Sequence, residues 1–222
     1  MRSTERKSWP TIALVTAQSP TPSRRRLQPD ERLAQVAAAA ESVALTDGLA
    51  AMTVRSVAAR MGVAPSLVAH YAPSMDELVA ETFDRVARRE IETMSTLLAS
   101  APSPLDRLRL LVGVVAAPDR EDVPLWSDAW SLARRNPLLA AAARDRLDDW
   151  QEVARGIVAA GRDSGVFPSG DPEHVGLLLF ALIDATNAYS RVAYRTDAER
   201  SALIRTAVAH AVGLEPEALG EA

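Results

Sequence analysis

The stretch from residue 52 to residue 78, MTVRSVAARMGVAPSLVAHYAPSMDEL, constrains the fold more than any other part of this chain. Thr53 can cap a short helix, because its side-chain oxygen can accept a hydrogen bond from a nearby backbone N–H. Gly62 can end that helix in the left-handed conformation that glycine adopts at little cost. Pro65 can begin a second helix, since proline at the first helical position has no N–H to lose. Two short helices joined at a glycine-containing turn predict a helix-turn-helix, a motif that reads DNA.

The apolar residues of this stretch fall on one face of each predicted helix. They are Val54, Val57, Ala58 and Met61 in the first helix, and Leu67, Val68 and Tyr71 in the second. A longer helix is predicted to follow, because Ser74 and Glu77 have the spacing of a capping box. The alternative is a generic helical hairpin in a core, but two such short helices would bury little surface by themselves.

The same segment resembles the DNA-binding domain of the TetR family of transcriptional regulators. The residues that carry the resemblance are Ala39-Ala40, Gly48, Thr53-Val54-Arg55, Val57-Ala58, Gly62-Val63, Tyr71 and Leu78. LVAHY followed by a capping box is most similar to the branch of betaine-responsive regulators. Three residues depart from the family pattern: Ala64 replaces a capping serine, Ala72 a phenylalanine, and Met75 a phosphate-contacting lysine. The departure at Met75 bears on DNA affinity rather than on the fold.

Composition indicates an all-helical chain without disulfides. Aromatic residues make up 5% of the chain, and no stretch alternates like a strand. The absence of cysteine excludes thiolate metal sites and suits a reducing cytoplasm. The net charge of −4 is unevenly distributed, because residues 1–28 carry six basic side chains against Glu5. A nucleic-acid binder should concentrate positive charge on its DNA side, and this chain does so mainly in its amino-terminal tail.

Residues 1–28 are predicted to form a disordered tail, since they are rich in Ser, Thr, Pro and Arg. The apolar run 11–17 is similar to a short secretory signal, but Pro10 and the helix-turn-helix favour a cytoplasmic protein with no membrane partner. Arg24-Arg25-Arg26 has two interpretations. It is either a solvated run of charge or an arm that reaches the minor groove of DNA.

The predicted fold class is all-α, with nine helices in two domains. A first helix from Pro29 to about Thr46 completes a three-helix helix-turn-helix DNA-binding domain over residues 29–75. Six further helices over residues 76–222 are predicted from repeated cap-then-proline starts. Their expected spans are 74–100, 103–117, 124–135, 136–164, 171–195 and 196–213. Residues 125–183 resemble the carboxy-terminal domain of the same branch, which implies a TetR-type ligand-binding and dimerisation domain.

Nine residues are predicted to contact a double-stranded DNA operator. The second helix of a helix-turn-helix reads base edges in the major groove, while surrounding groups hold phosphates. The base-facing candidates are Pro65, Ser66, Ala69 and His70, and the phosphate candidates are Thr53, Arg55, Leu67 (through its backbone N–H), Tyr71 and Ser74. For His70, an exposed helix histidine without a role in recognition is the alternative.

The last two helices are predicted to form a homodimer, because one recognition helix covers only a few base pairs and such proteins bind palindromes as symmetric pairs. The candidate interface residues are Val175, Leu178, Leu179, Leu182 and Ile183. They make their helix apolar around much of its circumference, so that it can join its symmetry mate in a four-helix bundle. An ordinary buried core helix is the alternative.

The middle helices are expected to enclose a pocket for an unidentified small-molecule effector. The candidate lining residues are Met94, Leu98, Trp126, Trp130, Arg134, Phe167 and Phe180. Tryptophans at helical spacing also occur in plain cores, which is the alternative for Trp126 and Trp130. Asp184 lies in an apolar run, where a buried carboxylate needs a partner, and a structural or dimer-interface role is favoured for it.

The resemblance implies a repressor that a small molecule releases from a palindromic operator through a coupling between two sites. A constitutive DNA-binding regulator and an all-α enzyme are the rival interpretations. The chain has no phosphate-binding glycine loop or nucleophile motif, and its histidines, at 70, 174 and 210, lack metal-ligand spacing. Asp145, Asp148 and Asp149 are expected to form a solvated helix surface. No catalytic residue, cofactor or metal site is therefore predicted.

Overall fold

The computed structural model describes residues 28–116 and 125–220, which form nine α-helices and no strand. The helices are α1 (Pro29–Asp47), α2 (Val54–Met61), α3 (Pro65–Tyr71), α4 (Met75–Ala99), α5 (Pro104–Val115), α6 (Leu125–Leu132), α7 (Pro137–Asp163), α8 (Pro172–Arg191) and α9 (Asp197–Ala211). Short 3₁₀ turns follow α1 (Leu49–Ala51) and α9 (Pro216–Leu219). The predicted all-α fold is confirmed. The predicted Arg24-Arg26 arm and the boundaries at Ala117 and Pro124 lie outside the described residues.

Side-chain caps begin helices where the sequence predicts them. The Ser56 N–H donates to Thr53 Oγ1 at 3.0 Å, and Gly62 ends α2 with a φ of 65°. Thr196 and Glu199 make both hydrogen bonds of a capping box at the start of α9. Each cap satisfies an N–H group that the first turn of a helix leaves without an internal partner.

Two helices end earlier than predicted. α6 ends at Leu132 rather than Arg135, and α8 ends at Arg191 rather than near Arg195. Beyond α8 the backbone adopts left-handed conformations at Ala193 (φ 52°) and Arg195 (φ 64°). Glycine is the residue that signals such an ending in a sequence. Because neither position is glycine, the sequence overestimates the length of α8.

The side chains pack into two apolar cores. The amino-terminal core joins α1, α2, α3 and the first half of α4, and it also includes Leu125, Ala129, Leu139 and Ala143. The carboxy-terminal core contains the second half of α4 together with α5, α7, α8 and α9. Trp126 packs against both cores. Side-chain packing therefore crosses the predicted domain boundary at residue 75.

Polar contacts also tie α1 to the helices around it. The Arg60 guanidinium of α2 donates to Asp47 Oδ2 at 2.8 Å and to Thr46 Oγ1 at 2.9 Å. Arg89 of α4 forms an ion pair with Glu41 of α1, and the hydrogen bond from Arg89 lowers the pKa of the Glu41 carboxyl. These contacts fix the scaffold on which α3 is presented. None of the helices that the structure describes is both long and apolar enough to cross a membrane.

Candidate DNA-binding surface and effector cavity

The outer face of α3 carries all four candidates for base contact. Val68 is fully buried beneath the helix, and Leu67 is half-buried. The side chains that remain exposed are those of Pro65, Ser66, Ala69 and His70. The four therefore share one solvent-facing surface at the end of the amino-terminal domain, as insertion into a major groove requires.

The phosphate candidates surround this surface, and three of them already make hydrogen bonds within the chain: Thr53 and Ser74 as helix caps and Leu67 through its backbone N–H. Thr53 and Arg55 are exposed at the start of α2, and Ser74 is half-buried where it caps α4. The Leu67 N–H donates to the Ala64 carbonyl oxygen at 3.0 Å. Ala64 supplies no side-chain cap, so the first turn of α3 closes on its own backbone and this N–H is not free for a phosphate.

Tyr71 is held in position by packing rather than by a polar contact. Its half-buried ring packs against the amino-terminal core and lines a groove together with Leu33, Val36, Ala37 and Pro73. The rings of His70 and Tyr71 meet edge to face, with centroids 5.0 Å apart. Tyr71 is therefore fixed against α1, while His70 stays exposed beside it.

A cavity of about 410 Å³ opens between α4, the end of α5, α6, α7, α8 and α9. Its apolar and aromatic walls include Trp126, Trp150, Phe180, Ile183 and Ile204. Its polar and charged walls include Glu90, Ser127, Asp184, Asn187, Arg191, Asp197 and Arg200. Cavities of this size hold small organic ligands.

The predicted pocket residues occupy three different environments. Trp126 and Phe180 line the cavity. Met94, Leu98 and Phe167 lie in the carboxy-terminal core instead, because the inner faces of their helices pack against neighbouring helices there. Trp130 and Arg134 do not line the cavity. Trp130 contacts Trp126 with the rings tilted by 42° and their centroids 5.5 Å apart, and Arg134 is exposed beyond the early end of α6.

Two acids face the cavity, and a tryptophan of α6 donates to each. Burial raises the pKa of the Asp184 carboxyl, and the hydrogen bond from Trp130 opposes this effect. The Trp126 Nε1–H donates to Glu90 Oε2 at 3.3 Å. Trp150 and Asp184 are wall residues that the pocket prediction did not include. The one sequence signal for Asp184 is a carboxylate in an apolar run, which requires a partner.

The candidate dimer residues divide between two faces of α8. Val175, Leu179 and Ile183 are buried in the core of their own chain, so they are closed to a second copy. Leu178 and Leu182 are half-buried on the other flank. This flank also carries Leu177, which is 62% exposed, and α9 exposes 47% of Leu203. The outer surface of the α8–α9 pair is thus more apolar than a solvated face needs to be.

The acidic face considered for a metal carries no such site. Asp145 and Asp148 are exposed on α7, and Asp149 Oδ2 lies 2.9 Å from Arg146 Nη1. Within the described parts of the chain, no three histidine or acidic side chains gather closely enough to hold a metal ion.

Two family models match the chain and together span the two halves of the fold. Residues 36–82 match the model of bacterial regulatory proteins of the tetR family. Residues 104–213 match the model of the carboxy-terminal domain of BetI-type transcriptional repressors. No curated protein sequence gives a significant match.

Solved structures with the same fold include several bacterial and archaeal regulators. A transcriptional regulator from Saccharomonospora viridis, in complex with choline, is 19% identical, with 82% of this chain and 97% of that chain covered and a TM-score of 0.71. A TetR transcription regulator from Haloarcula marismortui is 20% identical, with 82% and 97% covered and a TM-score of 0.68. FadR from Bacillus subtilis, in complex with stearoyl-CoA, is 20% identical, with 81% and 97% covered and a TM-score of 0.60. At these identities the likeness shows the fold alone.

Proposed function

Since the chain belongs to the TetR family of bacterial transcriptional regulators, we propose that it is a dimeric cytoplasmic repressor, released from a palindromic operator by a small cationic effector. The exposed outer face of α3 carries the DNA-binding part of this proposal. It presents small side chains and His70 to solvent, while Val68 anchors the helix from below. Backbone fit and apolar contact with thymine methyl groups would then contribute much of the base readout.

The eight DNA-contact candidates other than Leu67 should separate into two functional groups. We expect Tyr71→Ala and Arg55→Ala to weaken binding to specific and random duplexes alike, by about tenfold each, because phosphate contacts carry no sequence information. Ser66→Ala and His70→Ala should instead change which bases are preferred. The measurement is selection of duplexes from a random pool by the wild type, followed by titration of each variant against the selected and scrambled sequences.

Arg60→Ala provides a matched control for Arg55→Ala. Both arginines lie on α2, but Arg60 is bound to α1 through Asp47 and Thr46. Its loss should lower the stability of the domain and leave the salt dependence of DNA binding nearly unchanged. If all four contact variants lose the same affinity for selected and scrambled DNA, the division is wrong. If the wild type selects no duplex, DNA recognition itself fails.

The α8–α9 surface supports the proposed homodimer. Leu177, Leu178 and Leu182 leave apolar surface accessible on α8, and Leu203 is an exposed leucine of α9. Two such helices from each copy can form the four-helix bundle expected from the sequence. A two-fold axis through this bundle would place two copies of α3 on one side, which suits a palindromic operator.

The cavity walls support a cationic effector. Aromatic faces attract organic cations, and here Trp126, Trp150 and Phe180 line the same cavity as the carboxylates of Glu90 and Asp184. The Saccharomonospora viridis structure holds choline, and the FadR structure holds stearoyl-CoA, so this fold accommodates ligands of different charge. Arg191 and Arg200 also line the cavity, and Arg200 is paired with Asp197. The carboxylates of Glu90 and Asp184, beside the aromatic faces, are the groups that favour an ammonium ion.

Asp184→Asn should raise stability and weaken cation binding. Because burial raises the pKa of Asp184 above the 3.8 that is usual for an aspartate, ionisation opposes folding. This cost is absent below about pH 3.8, grows as pH rises to the folded-state pKa, and is constant above it. The amide avoids the cost and can still accept from Trp130. We therefore expect the variant to melt at a higher temperature than the wild type at pH 7, with the difference shrinking toward acidic pH.

Thermal melting of the wild type and of Asp184→Asn from pH 4 to pH 8 measures the effect on stability. Calorimetric titration with choline, tetraethylammonium and benzoate measures whether the protein prefers cationic or anionic ligands. Asp148→Asn, at an exposed position on α7, is the control for removing one negative charge. A chain that binds benzoate and ignores both ammonium ions would contradict the cationic assignment. A lower melting temperature of Asp184→Asn at every pH would show that the carboxylate stabilises the fold.

A further inference from the structure

The corner between α6 and α7, residues 125–139, touches the polypeptide on both sides of the helix-turn-helix. We propose that this α6–α7 corner positions the helix-turn-helix through two side chains, Asp128 and Asn136. Asp128 contacts residue 50, just before α2, and Asn136 contacts residue 76, just after α3. The two contacts hold the DNA-reading unit from outside its own domain.

Asp128 caps the 3₁₀ turn that leads into α2. The Ala50 N–H donates to Asp128 Oδ2 at 3.0 Å, although the two residues are 78 positions apart. No side chain of the turn itself provides a cap. N–H groups in the first turn of a helix lack internal partners, and a carboxylate is a favoured acceptor there. Because Met52 and Thr53 follow at once, a shift of Asp128 would reach the start of α2 directly.

The Asn136 side chain makes hydrogen bonds to two helices, α7 and α4. Its Oδ1 accepts from the N–H groups of Leu138 and Leu139 at 3.1 and 3.0 Å, which caps α7. Its Nδ2 donates to the Asp76 carbonyl oxygen at 2.9 Å, in the first turn of α4. The residue is only 5% exposed, so water cannot readily replace either partner. Asn136 thus links the start of α7 to the segment that follows α3.

Apolar packing fixes the position of the α6–α7 corner that carries Asp128 and Asn136. Leu125 and Ala129 are buried in the amino-terminal core beside the residues of α1 and α4. Trp126, on the same helix, meets the buried Phe83 ring edge to face, with centroids 5.0 Å apart. Trp126 also lines the cavity. The helix that carries Asp128 therefore also contributes a wall of the cavity.

The two contacts can be removed one at a time, and the cap of α7 can be kept when the contact to Asp76 is lost. Asp128→Ala removes the acceptor for Ala50, whereas Asp128→Asn keeps an acceptor oxygen of the same reach. Asn136→Ser keeps an oxygen that can cap α7, since serine is a good N-cap, and loses the donor to Asp76. Hydrogen–deuterium exchange followed by peptide mass spectrometry reads each contact directly and requires neither a ligand nor DNA.

For Asp128→Ala we expect amide exchange to rise by about tenfold or more in peptides covering residues 49–61, with α8 and α9 unchanged. Asp128→Asn should stay close to the wild type, and Asn136→Ser should raise exchange in residues 72–80. Leu219→Ala, a core truncation outside this region, controls for general destabilisation. Wild-type exchange at residues 49–61 in Asp128→Ala, or an equal rise in α8 and α9, would overturn the proposal.

The functional consequence rests on the proposed DNA binding and is measured separately. On a duplex selected by the wild type, Asp128→Ala and Asn136→Ser should each lose about five- to tenfold in affinity, while Leu219→Ala loses none at a temperature where it remains folded. If exchange rises as expected but affinity does not change, the corner does not position the helix-turn-helix for DNA, and the proposal fails. If the wild type binds no duplex, the proposed function fails, while the exchange experiment still decides whether the corner holds these residues.

Discussion

The substitution Gly161→Ala is expected to destabilise the carboxy-terminal core by about 3 kcal/mol or more, since the added methyl group overlaps a buried aromatic ring. A Cβ at position 161 would lie 2.0 Å from Cδ2, 2.2 Å from Cε2 and 2.7 Å from Cγ of Phe167. The Phe167 N–H donates to the Gly161 carbonyl oxygen at 3.0 Å, so the backbone that carries the ring is fixed close to the same glycine. The ring must leave its place in the core, because it cannot slide past the methyl group.

Gly156→Ala, one and a half turns earlier on α7, is the matched control. A Cβ there meets nothing within 4 Å, and the position is exposed. Alanine should stabilise the helix by about 0.5–1 kcal/mol, because it loses less backbone entropy than glycine on folding. Urea unfolding followed by circular dichroism gives both free energies. Equal effects of the two substitutions would show that Phe167 does not pack on Gly161 in solution.

The double substitution Leu177→Arg and Leu203→Arg is expected to convert the proposed dimer into a folded monomer. Four arginine side chains would meet across the proposed bundle, where burial of charge without partners is strongly unfavourable. Operator affinity should then fall by about 100-fold or more, because binding one half-site no longer brings the second recognition helix to the other. Sedimentation velocity reports the oligomeric state, and titration of a selected palindrome reports the affinity.

Leu97→Arg is the control for placing a charge on an exposed leucine. Leu97 is 41% exposed, similar to the 47% of Leu203, but it lies on α4. This variant should remain dimeric and keep its operator affinity. A double variant that still sediments as a dimer would place the interface elsewhere on the surface, whereas a wild type that is monomeric at micromolar concentration would remove the dimer from the proposal.

Local chemistry explains why most helix boundaries could be predicted. The cap at Thr53, the left-handed Gly62 and the proline at position 65 each determine backbone conformation within a few residues. The same reasoning failed at the end of α8, where Ala193 and Arg195 adopt left-handed conformations without glycine. Short-range signals therefore predict the fold well wherever the residue type itself favours the observed geometry.

The composition of the cavity and of the dimer surface depends on contacts that no local pattern contains. Periodicity showed that α8 is apolar around much of its surface, but not that Val175, Leu179 and Ile183 face their own core. Trp150 and Trp126 line one wall from different helices, and Asp128 reaches Ala50 across 78 positions. Such neighbours are set by the angles at which helices cross, which the sequence of one helix does not determine.

The sharing of one apolar core between distant segments limits how regulators of this kind can be recombined. A chimaera joined at residue 75 would carry α1, α2 and α3 away from Leu125, Ala129, Leu139 and Ala143, which complete their core in this chain. The transplanted part would then meet foreign side chains at its base, with mismatched volumes and new voids. A graft that moves residues 29–87 together with residues 125–143 keeps the buried residues of the amino-terminal core together. Exchange of operator specificity between relatives should therefore succeed when the gene segments that encode residues 29–87 and residues 125–143 are transferred together.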